Sequence, residues 1–90
     1  MYSVELSQIS QKFLEKLDNH IRTRIEDRLK RLSEIPVPSD AKFIGRDESG
    51  DKIFRHRIGD YRALYKVKEN EKIVLIAKLD KRPRIYDKSG

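Results

Sequence analysis

Between Phe54 and Val67 apolar and polar residues alternate with a period of two, His56 and Leu64 aside, and the alternation changes phase at Gly59-Asp60. Successive side chains of a strand point to opposite faces, so this pattern specifies two strands joined by a tight turn. Phe54 and Ile58 fall on one face and Arg55 and Arg57 on the other. In the return strand Tyr61, Ala63, Tyr65 and Val67 form the apolar row, and Arg62 takes the opposite parity. The apolar face has to be covered by the rest of the chain. The other face carries three arginines that a pairing register brings close together. Such a cluster repels itself and calls for an anionic partner, because the paired N–H donors of guanidinium match phosphate geometry. His56 shares the parity of Phe54 and Ile58 and is expected inside, as a hydrogen-bonded core residue in preference to a catalytic base.

The covering elements lie upstream. Tyr2, Val4 and Leu6 alternate with Ser3 and Glu5 as a short strand. Ser7 is placed to cap a helix over about residues 8–17, with Ile9, Phe13, Leu14 and Leu17 on one face. Asp18-Asn19 interrupts and caps a second helix, whose stripe of Ile21, Ile25, Leu29 and Leu32 ends near Glu34, before Pro36 and Pro38. So short a joint predicts an antiparallel helix hairpin. Ala41–Gly45 is a candidate strand, and residues 46–52 form a loop. After the arginine hairpin, a turn at Glu69-Asn70-Glu71 leads into the continuous apolar run Ile73–Ala77, expected to be a central strand covered on both sides. The order β-α-α-β-β-β-β predicts one α+β domain over residues 1–90: an N-terminal strand and a helix hairpin packed on an antiparallel meander of about four strands.

The formal net charge of +6 is confined to one half of the chain. Residues 1–41 hold seven Lys/Arg and seven Asp/Glu, whereas residues 42–86 hold thirteen and seven. A field of that sign concentrates polyanions. Several chemistries drop out. Cysteine is absent, the four glycines are scattered and form no phosphate loop, and His20 and His56 are too few and too far apart for a histidine metal site, so neither metal nor cofactor is expected. No basic-then-apolar leader opens the sequence and no apolar stretch approaches ~18 residues, so a cytoplasmic protein without membrane contact is expected.

What remains is Arg55, Arg57, Arg62, Arg82 and Arg84, with Tyr86. The meander brings the end of the last strand beside the arginine face, so Arg82 and Tyr86 are expected to flank it. Fixed cations stabilise charge that grows on phosphorane oxygens, and an aromatic ring stacks on a base or orients the phosphate. Lys42, Arg46, Lys81 and Arg84 extend the basic surface as candidate phosphate contacts. Structural alternatives exist at the same positions: Arg55, Arg57 and Arg62 as cross-strand partners of Asp60, Glu69 or Glu71, Arg82 and Arg84 as a solvated tail, and Tyr86 as a ring packed on the sheet edge.

The order of elements, the stretch Gly59-Asp60-Tyr61-Arg62-Ala63-Leu64-Tyr65 and the segment Lys81-Arg82-Pro83-Arg84-Ile85-Tyr86 together resemble the RelE/ParE toxin superfamily, specifically its RelE branch. The resemblance covers almost the whole chain. It implies the toxin of a type II toxin–antitoxin pair, an mRNA endonuclease acting on the ribosome without a metal ion. In that family the ribose 2′-oxygen attacks the adjacent phosphate and leaves a 2′,3′-cyclic phosphate and a 5′-hydroxyl. By motif, Arg62 resembles the phosphate-stabilising arginine, Arg82 the general acid, and Tyr86 the tyrosine that holds base and phosphate. Arg55 and Arg57 stand where better-studied members carry two lysines, one a proposed general base. Arginine stays charged at any relevant pH and is a poor proton acceptor, so either the protein relies mainly on positioning and charge stabilisation or another group takes the proton, from the ribosome or, if its parity is reversed, His56. The resemblance also implies an acidic, RelB-like antitoxin in a hetero-oligomeric complex. The rival within the superfamily is a ParE-like DNA gyrase inhibitor that cuts nothing, or a catalytically decayed member.

Overall fold

A computed structural model describes residues 1–82. In chain order the elements are β1 (Ser3–Leu6), α1 (Gln8–Glu15), α2 (Asn19–Lys30), a 3-10 turn (Arg31–Ser33), β2 (Lys42–Arg46), β3 (Lys52–Ile58), β4 (Tyr61–Lys68) and β5 (Ile73–Lys81). The period-two segment forms β3 and β4 in antiparallel register, with Ile58 opposite Tyr61 across the two-residue turn. Gly59 adopts φ +59° there, as the first central residue of the hairpin turns whose twist matches the flanking strands. The five strands form one sheet in the order β1-β5-β4-β3-β2.

Both helices pack on one face of this sheet. Leu14 of α1, Ile25 and Leu29 of α2 and Leu32 of the 3-10 turn are buried against Phe54, Ile58, Ala63, Tyr65, Val67, Val74, Ile76 and Leu79. Each such aliphatic side chain contributes about 1.5–3 kcal/mol relative to exposure. The α2 stripe therefore does what its spacing predicts. In α1 the expected face is corrected: Ile9 is 65% exposed, and Ser10, fully buried, takes its place beside Leu14. The cause lies in β5. Ser10 Oγ donates to the carbonyl of Ile76 at 3.0 Å, and Ser7 Oγ donates to that of Ala77 at 2.8 Å while accepting from Ser10 N. Ser7 is thus the cap of α1 and an anchor to the sheet. Asp18 occupies the cap position of α2 but makes no side-chain cap bond.

Two expectations about β5 also change. The central strand is β4, and β5 runs between β4 and the N-terminal strand, which joins it in parallel with Ser3 opposite Ile73 and Leu6 opposite Ile76. Nor is β5 covered equally on both sides: Val74 and Ile76 are fully buried, while Ile73 and Leu75 are half-buried. The expected inward histidine is found, 4% exposed, but without the expected hydrogen bond. His56 Nδ1 lies 3.6 Å from Asp40 Oδ1, too long for one, and has no hydrogen-bond partner among the described residues. Burial pushes its pKa below the ordinary histidine value; the Asp40 carboxylate opposes this and the Arg28 charge adds to it. Tyr65, fully buried, donates its hydroxyl to the Pro36 carbonyl at 2.8 Å and so ties the proline loop to the core.

Candidate nucleic-acid interface

On the face turned away from the helices, strand register aligns side chains into rows. One row runs Arg57, Arg62, Asp80 across β3, β4 and β5; the next runs Lys42, Arg55, Leu64, Lys78 across β2 to β5. Neighbouring strands lie about 4.8 Å apart, so five cations and one carboxylate occupy two adjacent rungs. Arg57 and Arg62 are directly opposed, an arrangement of like charges that costs stability without an anion between them. Arg57 is exposed, and its Nε donates to the Gly59 carbonyl at 3.3 Å. Arg62 Nε donates to Asp80 Oδ1 at 2.8 Å in a part-buried ion pair.

Asp80 is the residue that sequence reasoning missed, and the reason is geometric. The β4–β5 register shifts between Leu64 and Tyr65, which pair with Lys78 and Ile76, so Ala77 is an extra residue in β5. Without it, residues 78 and 80 would share the inward parity of Val74 and Ile76. A bulge reverses the parity of everything beyond it. Leu79 turns inward at 3% exposed, and Lys78 and Asp80 turn out beside the arginines. A readable signal was present, since Leu79 is the one apolar residue between Ala77 and Pro83 and requires a core position.

The expected site residues divide by position. Arg55, Arg57, Arg62 and Lys42 share the arginine face. Arg82 reaches it at the turn end, where its backbone N–H donates to the Asp60 carbonyl at 2.7 Å and pins the exit of β5 against the Gly59-Asp60 turn. Arg46 lies at the other end of the sheet, opposite Lys52, with Nη1 on the Gly50 carbonyl at 2.8 Å. It borders a separate concavity of about 270 Å³ together with Lys52, Glu69 and Asn70. Lys81 pairs with Tyr61 and takes the parity opposite to Arg62. Arg84 and Tyr86 fall outside the described residues. Of the carboxylates considered as cross-strand partners, Glu69 pairs with Lys52 at 3.3 Å, and among the described residues Arg62 pairs with Asp80, which was not among them. The tyrosine reading holds for Tyr61 too, whose ring packs edge-on against Phe13 at 6.0 Å.

The family model for the ParE toxin of the type II toxin–antitoxin system parDE matches residues 4–86. The chain belongs to that toxin family. A protein of Methanocaldococcus jannaschii bearing the name RelE1 is 27% identical over 85 residues, 94% of each chain. Among solved structures, the archaeal RelE–RelB complex of Pyrococcus horikoshii matches with a TM-score of 0.81 at 29% identity, over 92% of this chain and 97% of that one. The toxin–antitoxin complex RelBE2 of Mycobacterium tuberculosis matches with a TM-score of 0.74 at 28% identity, over 90% and 98%. The two helices on a mostly antiparallel five-stranded sheet are thus the RelE fold, and the chain is a RelE-like toxin of the RelE/ParE superfamily.

Proposed function

We propose that this toxin is an endoribonuclease that cleaves mRNA on the ribosome, with its own guanidinium groups as the cations of the reaction. The observation that carries the reading is the row in which Arg57 and Arg62 face each other across β3 and β4, with Arg55 and Lys42 on the next rung. Like charges opposed on one rung of the face turned away from the helices suit a bound polyanion. In this reading Arg55 and Arg57 hold the RNA phosphates, Arg62 stabilises charge developing on the scissile phosphate, and Arg82 protonates the departing 5′-oxygen. Lys42 extends the track, and Arg46, Lys81, Arg84 and Tyr86 make peripheral or base contacts. The ion pair to Asp80 fixes Arg62 before substrate arrives, which lowers the reorganisation required at the transition state.

A toxin of this kind requires an antitoxin, and the solved relatives from Pyrococcus and Mycobacterium are complexes with theirs. For this chain the partner is an acidic segment that orders on contact with the basic face. Because the matching family model is that of ParE toxins, gyrase inhibition is the competing reading. Induced expression with mapping of mRNA 5′ ends separates the two: codon-phased cuts bearing 5′-hydroxyls support the nuclease, and intact transcripts with DNA damage support gyrase. Arg62→Ala and Arg82→Ala, folded as the parent, relieve growth arrest. If both remain as toxic as the parent, the arginine face is not the active site.

A further inference from the structure

A 2′-hydroxyl becomes a nucleophile only if something takes its proton, and the arginines of this face cannot. His56 is turned into the core, 4% exposed, on the opposite side of the sheet from Arg55 and Arg57. Among the described residues one carboxylate stands within the arginine rows, Asp80, delivered there by the Ala77 bulge and held by Arg62 Nε at 2.8 Å.

We propose that Asp80 is the proton acceptor of the site, taking the 2′-hydroxyl proton of the RNA ribose that precedes the scissile phosphate. This assignment rests on the nuclease reading above. Its geometric basis is the rung Arg57–Arg62–Asp80. A phosphate held between Arg57 and Arg62 lies about one and a half strand spacings, about 7 Å, from Asp80, and the attacking ribose is bonded to that phosphate and bridges part of that distance. The contact with Arg62 engages Oδ1; an ionised carboxylate is acceptor-only, with about four lone-pair sites on two oxygens, so it accepts the hydroxyl without releasing the arginine. Arg62 thereby aligns both reactants, the phosphate through its charge and the base through its Nε.

The step balances as follows. The 2′-O–H bond breaks and its proton passes to an Oδ of Asp80. The 2′-oxygen bonds to phosphorus and the P–O5′ bond breaks. The 5′-oxygen takes a proton from the Arg82 guanidinium, and Asp80 and Arg82 return to their starting states by exchange with water. The products are a 2′,3′-cyclic phosphate and a 5′-hydroxyl.

The test compares the full chain with Asp80→Asn and Asp80→Glu in single-turnover cleavage on ribosomes programmed with a defined mRNA, over a range of pH and toxin concentration. Asparagine keeps an oxygen for Arg62 Nε and removes the basicity. Loss of a general base costs about 10²–10⁴-fold in rate. We therefore expect Asp80→Asn to lose at least a hundredfold in rate, to keep the parent's half-saturating concentration, and to show a residual rate rising with pH as hydroxide replaces the base. Asp80→Glu restores part of the rate. The assignment is overturned if Asp80→Asn cuts at the parental rate, or if its only change is a raised half-saturating concentration, the signature of a residue that merely positions Arg62. If the parent itself yields no cyclic-phosphate ends, the nuclease reading falls and this assignment with it. Parental cleavage with unimpaired Asp80→Asn removes the assignment alone.

Discussion

The opposition of Arg57 and Arg62 across one rung makes a quantitative prediction with an unusual sign: replacing Arg57 stabilises the free protein. Opposed residues have Cβ atoms about 5 Å apart, from which mutually repelling guanidinium groups splay to about the 7 Å of the i, i+2 spacing to Arg55. On an exposed face each of these repulsions is about 0.6 kcal/mol at the dielectric of water. Asp80, two strands away at about 10 Å, returns about 0.4 kcal/mol of attraction. The 3.3 Å bond from Arg57 Nε to Gly59 O is long and exposed, so its loss costs less than about 0.5 kcal/mol. The balance is a gain of about 0.5 kcal/mol for Arg57→Gln, or a Tm rise of about 2–4 °C for a domain of this size. The assay is thermal unfolding at low and high salt. The gain disappears by about 0.5 M salt, where the Debye length is about 4 Å. The same variant binds single-stranded RNA more weakly, and the slope of log K against log salt shrinks by about 0.7. A lower Tm at low salt, or a gain indifferent to salt, refutes the reasoning: the arginines would then not be held against one another.

Three further substitutions probe the scaffold. Tyr65→Phe leaves the Pro36 carbonyl without the 2.8 Å donor it now has and lowers stability by about 1–3 kcal/mol, measured by denaturant unfolding. Gly59→Ala meets open space but must hold φ +59°, so its cost is conformational, about 1–2 kcal/mol, and Gly59→Asn costs less; equal losses for the two would place the constraint elsewhere. His56 has a native pKa held below the ordinary 6.5 by burial, so the unfolded chain binds the proton more readily. Its contribution to stability is present in full above pH 6.5 and is lost as pH falls through the native value. His56→Gln flattens that acid-side dependence in unfolding curves taken at a series of pH values; an unchanged curve assigns it to other groups.

The parts of this molecule legible in sequence are those governed by a single period. Phe54 to Val67 alternates except at His56 and Leu64, and its register and faces follow. Ile21, Ile25, Leu29 and Leu32 keep helical spacing, and all four pack on the core. What escaped was fixed by partners remote in sequence. Ser10 is buried where Ile9 was expected, its hydroxyl, like that of Ser7, bonded to a β5 carbonyl, a contact that appears only when α1 and β5 meet. The place of β5 beside the edge depends on parallel pairing with β1, which no local pattern announces. Of the site, Arg55, Arg57 and Arg62 were visible through parity. Asp80 was not, because its face is set by the bulge at Ala77.

That one extra residue couples the core to the chemistry. Beyond Ala77 every side chain of β5 changes face, so the same insertion that seats Leu79 among the core residues also sets Asp80 against Arg62. The bulge is held from the far side of the sheet: Ser7 Oγ and Ser10 Oγ bond the carbonyls of Ala77 and Ile76, and Ser7 N also donates to Ile76 O at 3.0 Å. Because Ile76 O has two donors, Ser10→Ala leaves it satisfied, and the register is over-determined. Arg55 and Arg57 carry no such duty. They stand exposed on the face turned away from the helices, where removal of Arg57 relieves repulsion, whereas the position of Asp80 is anchored through Ser7 and Ser10. A site assembled this way separates its variable part, the cations that grip a polyanion, from the part whose placement must be held to within a hydrogen-bond length.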